Sequence, residues 1–383
     1  MRDPVSWDIF CRVVDNFGDA GVCWRLARQL ATEHRARVRL FIDELQSLAP
    51  LEPSIGFRDR QMIGGVEVWQ WKETLGATTP ADVVVEAFGC GLSDEYVSGM
   101  AAALRRPLWI VLEYLSAEPW VARHHGLPSP HPRRQLERYF FFPGFVDGTG
   151  GLLREADLVI RRDGFGAESR EAFWRSVAHQ TVPADAVTVS VFAYESAPVL
   201  ELMRCWEAGA RPTVAVIPES RLVPLVLRHL GSGSVPADRV LRRGALEVRF
   251  IPFLPQRRYD ELLWACDVNF VRGEDSFVRA QWAARPFLWQ VYPQQARAHW
   301  RKLDAFMGLY TAALGNELRT AVSAMMQSWN QIDVPGVTPA AAWSAYAAHL
   351  DTLTQHGRAW AERLEALGAL TQNLASFCRD RLK

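Results

Sequence analysis

The chain has 383 residues, 49% hydrophobic and 22% charged, with 43 basic and 43 acidic side chains and a formal net charge of zero. These are the proportions of a globular protein too long for one ordinary core, so two domains are expected. Balanced charge argues against a nucleic-acid binder that relies on counterion release, and no run of about 18 apolar residues exists to span a membrane.

A first strand is predicted over 6–14 (SWDIFCRVV), mostly apolar and β-branched, and an amphipathic helix over 22–33 (VCWRLARQLATE). The N-terminus reaches that strand within a few residues, leaving no room for a signal peptide. Strands are then predicted over Arg37–Ile42, 66–71, Val83–Ala87 and Leu108–Leu112, with helical patterns between them. The proline- and histidine-containing stretch 122–134 reads as a surface loop, and 138–144 (RYFFFPG) as a late strand of the same domain. Its histidines, His124, His125 and His131, show no recognised zinc spacing. The sequence Arg161-Arg162-Asp163-Gly164-Phe165-Gly166 reads as a polar turn whose double arginine is solvated or contacts a partner.

A second alternation begins near Ala186, with strands predicted over 187–192, 213–217, 247–253, Val268–Arg272 and 287–291. Helices are predicted over 198–208, 219–230, Gln256–Ala265 and 276–284, and the tail from 294 to 383 is helical apart from 333–338. Strands alternating with helices imply two doubly wound, parallel α/β domains. Six cysteines (Cys11, Cys23, Cys90, Cys205, Cys266, Cys378) lack C-x-x-C spacing and read as reduced core residues of a cytoplasmic protein. The fifteen tryptophans fall mostly in helical or strand patterns and are assigned to the core. No G-x-G-x-x-G, Walker A or G-x-S-x-G match occurs, which weakens dehydrogenase, kinase and hydrolase readings.

The segment Asp15-Asn16-Phe17-Gly18-Asp19-Ala20-Gly21 joins the first strand to the first helix. Such a turn normally offers backbone N–H groups to a phosphate. Here it carries two carboxylates that would repel one, so it suits a cation, a hydroxyl or an amine. The plainer reading of Asp15 and Asp19 is an N-cap and a turn aspartate, but a cap needs only one such residue. Arg272-Gly273-Glu274-Asp275-Ser276 has the opposite character: a strand-end arginine, a glycine for a tight turn and a helix start together suit a diphosphate, although Glu274 and Asp275 could simply complement the macrodipole. Between 250 and 259, two prolines stiffen a loop on which Phe253 either stacks on a nucleobase or fills the core, with the backbone near Leu254 reading the base edge. Gln256 and Tyr259 follow one helical turn apart, within reach of phosphates or ribose. Phe192 and Tyr194 end the second domain's first strand at the same edge.

The two long motifs, Asp15 to Ala27 and Arg272 to Phe277 with Ala280-Gln281-Trp282, resemble those of the EarP family, the protein-arginine rhamnosyltransferases of bacterial translation elongation factor P. The resemblance covers the whole chain. It implies a GT-B fold: two Rossmann-like domains facing a cleft, with domain bounds of 1–175 and 176–361, and a C-terminal helix over about 362–383 packing back on the first domain. It implies an inverting, metal-independent transfer of L-rhamnose from dTDP-β-L-rhamnose to one arginine of elongation factor P, with no cofactor; binding between two domains in turn predicts closure on donor binding. Asp15 and Asp19 match the family's essential carboxylates, with Asp19 the base, and the acceptor is assigned to Asp15, Asn16 and Asp19. Phe192, Tyr194, Phe253, Gln256, Tyr259, Arg272, Glu274, Asp275, Ser276 and Tyr292 match donor-binding positions, and Leu254 joins the donor set on the reading of its loop. Glu274 is assigned to catalysis, either orienting the sugar or stabilising an oxocarbenium-like state. A nucleotide-sugar epimerase or hydrolase, a transferase with a different acceptor, and a non-catalytic nucleotide-sugar or protein-binding module remain as alternatives. No nucleic-acid or membrane partner is implied.

Overall fold

Runs of apolar, β-branched residues become buried parallel strands in both halves of the chain. The structure is a computed structural model describing residues 4–72, 78–132, 134–178, 181–293, 298–333 and 335–382. The chain divides into two units: Met1–Ala156 with Arg363–Lys383, and Asp157–Glu362.

The first unit opens with β1 (Ser6–Cys11), α1 (Phe17–Glu33), β2 (Arg37–Ile42) and the short α2 (Leu45–Leu48). Then come β3 (Arg60–Ile63), β4 (Val66–Gln70), β5 (Val83–Ala87), α3 (Asp94–Ala102) and β6 (Leu108–Leu112). The sequence continues through α4 (Val121–His124), β7 (Pro128–Pro130) and β8 (Glu137–Phe141). The sheet order is β3-β4-β2-β1-β5-β6-β8-β7. β1 pairs in parallel with β2 on one side and with β5 on the other. The chain therefore winds outward from β1 in one direction and crosses it to continue in the other. The carboxyl ends of β1 and β5 are the switch point at which open α/β sheets bind ligands. Within this core Asp8, fully buried on β1, is matched by Arg39 (2.6 Å and 2.7 Å), Ala81 N (2.9 Å) and the Tyr96 hydroxyl, which meets the cost of burying a charge.

The second unit begins with α5 (Leu158–Asp163), α6 (Ala167–Ala178), β9 (Val187–Val191), α7 (Val199–Glu207) and β10 (Thr213–Pro218). Next are α8 (Val223–His229), β11 (Val240–Arg243), β12 (Leu246–Ile251), α9 (Gln256–Ala265), β13 (Val268–Arg272), α10 (Asp275–Ala283) and β14 (Phe287–Gln290). The helical tail is α11 (Ala298–Tyr310), α12 (Asn316–Trp329), α13 (Pro339–Ala347), α14 (Leu350–Glu365) and α15 (Leu370–Arg381). The order β11-β12-β10-β9-β13-β14 repeats the logic of the first sheet, with the switch at the carboxyl ends of β9 and β13.

The alternation expected from the sequence is present, with four differences. Two short antiparallel edge strands, β3 and β11, were not anticipated. They pair with β4 and β12 across Gly64-Gly65 (φ 56° and 82°) and Gly244 (φ 57°), where left-handed backbone favours glycine. Each is only four residues long, with its two apolar residues adjacent, so neither carries an alternating apolar signal.

The expected loop at 122–134 contains the end of α4 and all of β7, and His125 is half-buried, its Nδ1 accepting Phe142 N at 3.0 Å. The supposed solvated turn at Arg161 and Arg162 ends α5 instead. Arg162 donates to Trp282 O at 3.1 Å, and Arg161 lies 3.7 Å from the carboxylate of Asp260.

The break expected after 175 falls after 156. Phe173, Trp174, Val177 and Ala178 on α6 pack with Val214, Val216 and Ile251 of the second sheet, so α5 and α6 belong to the second unit. The expected start of the tail at 294 lies outside the described residues. α15 packs on the first unit through buried Leu370, Leu374, Ala375 and Cys378, with Leu370 N bonded to Leu152 O (2.9 Å) and Thr371 Oγ1 to Gln29 Oε1 (2.6 Å).

Candidate active site

β1 ends at Cys11, sooner than its apolar run suggests, because the N–H groups that follow turn onto carboxylates. Val13 N donates to Asp43 Oδ1 at 2.9 Å, and Val14 N and Asp15 N both donate to Asp19 Oδ2 at 2.8 Å. Val14, released from the sheet, is 63% exposed. α1 correspondingly starts at Phe17, so Asp19 lies in its first turn, where a carboxylate complements the helix dipole. The N-cap residue Asn16 makes no capping bond and has φ 41° and ψ −99°. Asp19 reaches back to the N–H groups of Val14 and Asp15, which precede the N-cap, and so ties the loop to the helix start.

Gly18 N donates to Asp15 O at 2.7 Å. A Cβ on Gly18 would stand 2.8 Å from Asp15 Oδ2, so only glycine lets the Asp15 carboxylate lie over the helix start. Asp15, Asn16 and Asp19 are thus brought together, with Asp15 half-buried, Asn16 exposed and Asp19 only 2% exposed.

Burial pushes the Asp19 carboxyl up from its ordinary value. The N–H groups of Asp15 and Val14 and a hydrogen bond with Tyr114 oppose that shift, and the charge of Asp43 adds to it. Tyr114 follows β6 and stacks on Phe88 after β5, with ring centroids 4.3 Å apart and planes 15° apart. Asp43 and Tyr114 were missed from the sequence. Each is a polar residue at or just beyond the end of an apolar strand, which was the one signal available.

At the switch point of the second unit the chemistry is cationic and aromatic. The Arg272 guanidinium sits 4.6 Å from the ring centre of Phe192 and 4.4 Å from that of Tyr194. Tyr194 meets Tyr292 edge-on at 5.8 Å, and Phe192 meets Tyr259 at 5.9 Å. Ser276 Oγ donates to Arg272 O and accepts Arg272 N at 3.1 Å, closing the turn between β13 and α10. Gly273 has φ 61°, and its carbonyl accepts Trp289 Nε1 at 2.7 Å, which pins the turn from below. Gln256 Nε2 reaches Asp275 Oδ2 at 3.4 Å, joining the first residues of α9 and α10.

Glu274 is the N-cap residue of α10, half-buried and without a capping bond. Phe253 is half-buried on the segment before α9, whereas the side chain of Leu254 is core, packed with Ile251 and Leu262. Tyr292 stays 38% exposed. The Tyr259 hydroxyl is pushed up by burial. Gln290 was not anticipated: its side-chain oxygen accepts Tyr194 N at 2.7 Å and its nitrogen donates to Ser196 Oγ at 3.1 Å. A buried glutamine closing the apolar strand FLWQ was its signal.

Beneath both helix starts lies an ion pair in which Arg279 and Asp260, each 1% exposed, meet at 2.7 Å and 2.8 Å in bidentate fashion. Among the described residues, no three His, Cys, Asp or Glu side chains gather where they could share a metal ion. No helix of the described residues is long and apolar enough to cross a membrane.

Residues 7–379 match the family model described as Elongation-Factor P (EF-P) rhamnosyltransferase EarP. The protein-arginine rhamnosyltransferase of Pseudomonas putida is 45% identical over 380 residues, spanning 98% of this chain and 99% of that one. The chain belongs to the elongation factor P rhamnosyltransferase family. A solved structure described as the structural basis for EarP-mediated arginine glycosylation of translation elongation factor EF-P is 33% identical, covers 98% of this chain and 99% of its own, and has a TM-score of 0.69. The calicheamicin glycosyltransferase CalG4 is 12% identical over 98% of both chains, with a TM-score of 0.51, and shares the fold alone. The EarP-family chain therefore has the GT-B fold of two Rossmann-like domains.

Proposed function

We propose that this chain transfers L-rhamnose from dTDP-β-L-rhamnose to the guanidinium of an arginine of translation elongation factor P, with inversion and without a metal. The observation that carries this reading is the acidic turn at the β1/β5 switch point, where a phosphate would be repelled and a cation is welcome. Its counterpart is Arg272 with the α10 start at the β9/β13 switch point, suited to an anionic donor. Full-length family membership supports the choice of donor and acceptor.

An arginine guanidinium is effectively always protonated and is a poor nucleophile in that form. Asp15 and Asp19 together bind its N–H groups and localise its charge. One guanidinium nitrogen attacks the anomeric carbon as the bond to the dTDP oxygen breaks, and the proton released from that nitrogen passes to Asp19. The negative charge growing on the departing diphosphate meets Arg272 and the N–H groups opening α10, in the role a metal takes elsewhere, and Ser276 joins them when its hydroxyl turns from the Arg272 carbonyl. Attack on the face away from dTDP inverts the centre and gives an α-linked product.

The nucleobase stacks on Phe253 with the backbone near Leu254 at its edge. Gln256, Asp275, Tyr259, Phe192, Tyr194 and Tyr292 complete the donor set. Glu274 orients the sugar or stabilises its oxocarbenium-like charge. The transfer is assigned to the cytoplasm.

The test is dTDP release from dTDP-β-L-rhamnose, measured with and without elongation factor P and with EDTA present. Release that requires the acceptor, survives EDTA and yields an α-anomer supports the proposal. Release without the acceptor would instead point to a hydrolase, and a β-anomeric product would remove inversion.

A further inference from the structure

Asp43 follows directly on β2, half-buried. It accepts the first of three consecutive N–H groups leaving β1, that of Val13 (2.9 Å), and Asp19 accepts the next two, from Val14 and Asp15 (2.8 Å each). The loop is thus held between two carboxylates that come from different elements. A second tie lies nearby. Ser47 donates to Glu44 Oε2 at 2.6 Å and also sits 3.2 Å from the Asn16 side-chain amide. A hydroxyl has one proton, and the shorter contact takes it. The longer contact, to Asn16 Oδ1, is accordingly the weaker of the two. Asn16 itself, at φ 41° and ψ −99°, is in a backbone conformation that persists only where its surroundings impose it.

We infer that Asp43 is a positioning residue for the transfer reaction, fixing from β2 the stretch of backbone from which Asp15 and Asp19 project. The inference rests on the reading of Asp19 as the base. Asp43 touches backbone, not substrate, and acts through Asp19. It also acts at a distance through its charge. The groups that bear on the Asp19 carboxyl are Asp43 beyond β2, Tyr114 beyond β6, and the N–H groups of Val14 and Asp15. Cys11 on β1 also lies within electrostatic reach, its thiol held well above its usual range by its contact with Cys23 and by burial. Of these, Asp43 contributes a like charge that disfavours ionisation of Asp19, alongside burial, whereas Tyr114 and the two N–H groups favour it.

Two substitutions separate the tether from the charge. Asp43→Asn keeps an oxygen for Val13 N and removes the charge, whereas Asp43→Ala removes both. The measurements are the pH dependence of transfer to elongation factor P, the dTDP dissociation constant and the thermal midpoint. A base works only when deprotonated, so activity falls on the acid side through its pKa, and loss of a neighbouring like charge moves that acid limb to lower pH. Asp43→Asn is expected to shift the acid limb downward and to retain more kcat than Asp43→Ala. The latter is expected to lose about tenfold in kcat or more with dTDP binding kept. An acid limb unmoved in Asp43→Asn would overturn the inference, as would wild-type kcat in Asp43→Ala. If Asp43→Ala does not fold, the profile of Asp43→Asn decides alone. A wild-type protein that transfers nothing to elongation factor P would instead overturn the function on which the inference rests.

Discussion

At the acidic turn, one carboxylate both organises a loop and, in the proposed mechanism, receives a proton. Asp19 Oδ2 is committed to two N–H groups, and the whole group is buried. Replacing it with asparagine keeps an oxygen for the loop and removes the base. Asp19→Asn should lower kcat about a hundred- to ten-thousand-fold while leaving the dTDP dissociation constant unchanged. Because the folded carboxyl titrates above its unfolded value, the native state holds the extra proton between those two pH values, and stability falls as pH rises through that window. Thermal denaturation of Asp19→Asn at neutral pH should accordingly give a Tm no lower than that of the wild type, and a clear drop would mean that the ionised form is net stabilising. Gly18→Ala tests the geometry from the other side. Its Cβ displaces the Asp15 carboxylate, and a loss of about a hundredfold in kcat/KM is expected with little change in Tm. Wild-type activity in this variant would show that Asp15 need not lie where it does.

Between elements, the decisive feature is the buried pair of Arg279 and Asp260, which locks α10 to α9 and so fixes the helix starts bearing Ser276 and Gln256. Removing Arg279 takes away the bidentate partner of the buried Asp260 and leaves Arg161, at 3.7 Å, as its counter-charge, so the cost falls below the ~3–5 kcal/mol of a fully orphaned buried charge. Arg279→Ala should lower Tm by several degrees and raise the dTDP dissociation constant, whereas Arg279→Met with Asp260→Leu should recover most of the stability. If the single change leaves Tm unmoved, the pair does not hold these helices. None of this pairing was legible in the sequence, because each residue sits in an ordinary amphipathic pattern and only the packing of two helices brings them together. Asp15, Asp19 and Arg272 through Ser276 were legible for a complementary reason. Charged residues clustered where a strand turns into a helix break the apolar pattern within a few positions. Asp43, Tyr114 and Gln290 reach the same places from other strands, and short-range pattern has no access to strand order.

Across the whole chain, two sheets of like topology carry opposite chemistry at equivalent points, carboxylates at β1/β5 and an arginine among aromatics at β9/β13. The alternation of strands and helices made the doubly wound class readable, since each buried parallel strand is a short apolar run. The boundary at 156 was not readable, because α5 and α6 are amphipathic helices that could cover either sheet until Phe173 and Trp174 are seen among their neighbours. The return of α15 to the first unit makes the last twenty or so residues part of its core, so a chain ending at 362 should expose Leu152 and Leu153 and fail to give a cooperatively melting first unit. The measurement that bears most directly on the proposed function is the intact mass of purified elongation factor P after incubation with this protein and dTDP-β-L-rhamnose, followed by fragmentation to locate the change. One deoxyhexose added to a single arginine by the wild type and none by Asp19→Asn is the expected result. An unmodified, properly folded acceptor, or equal modification by both proteins, would contradict it.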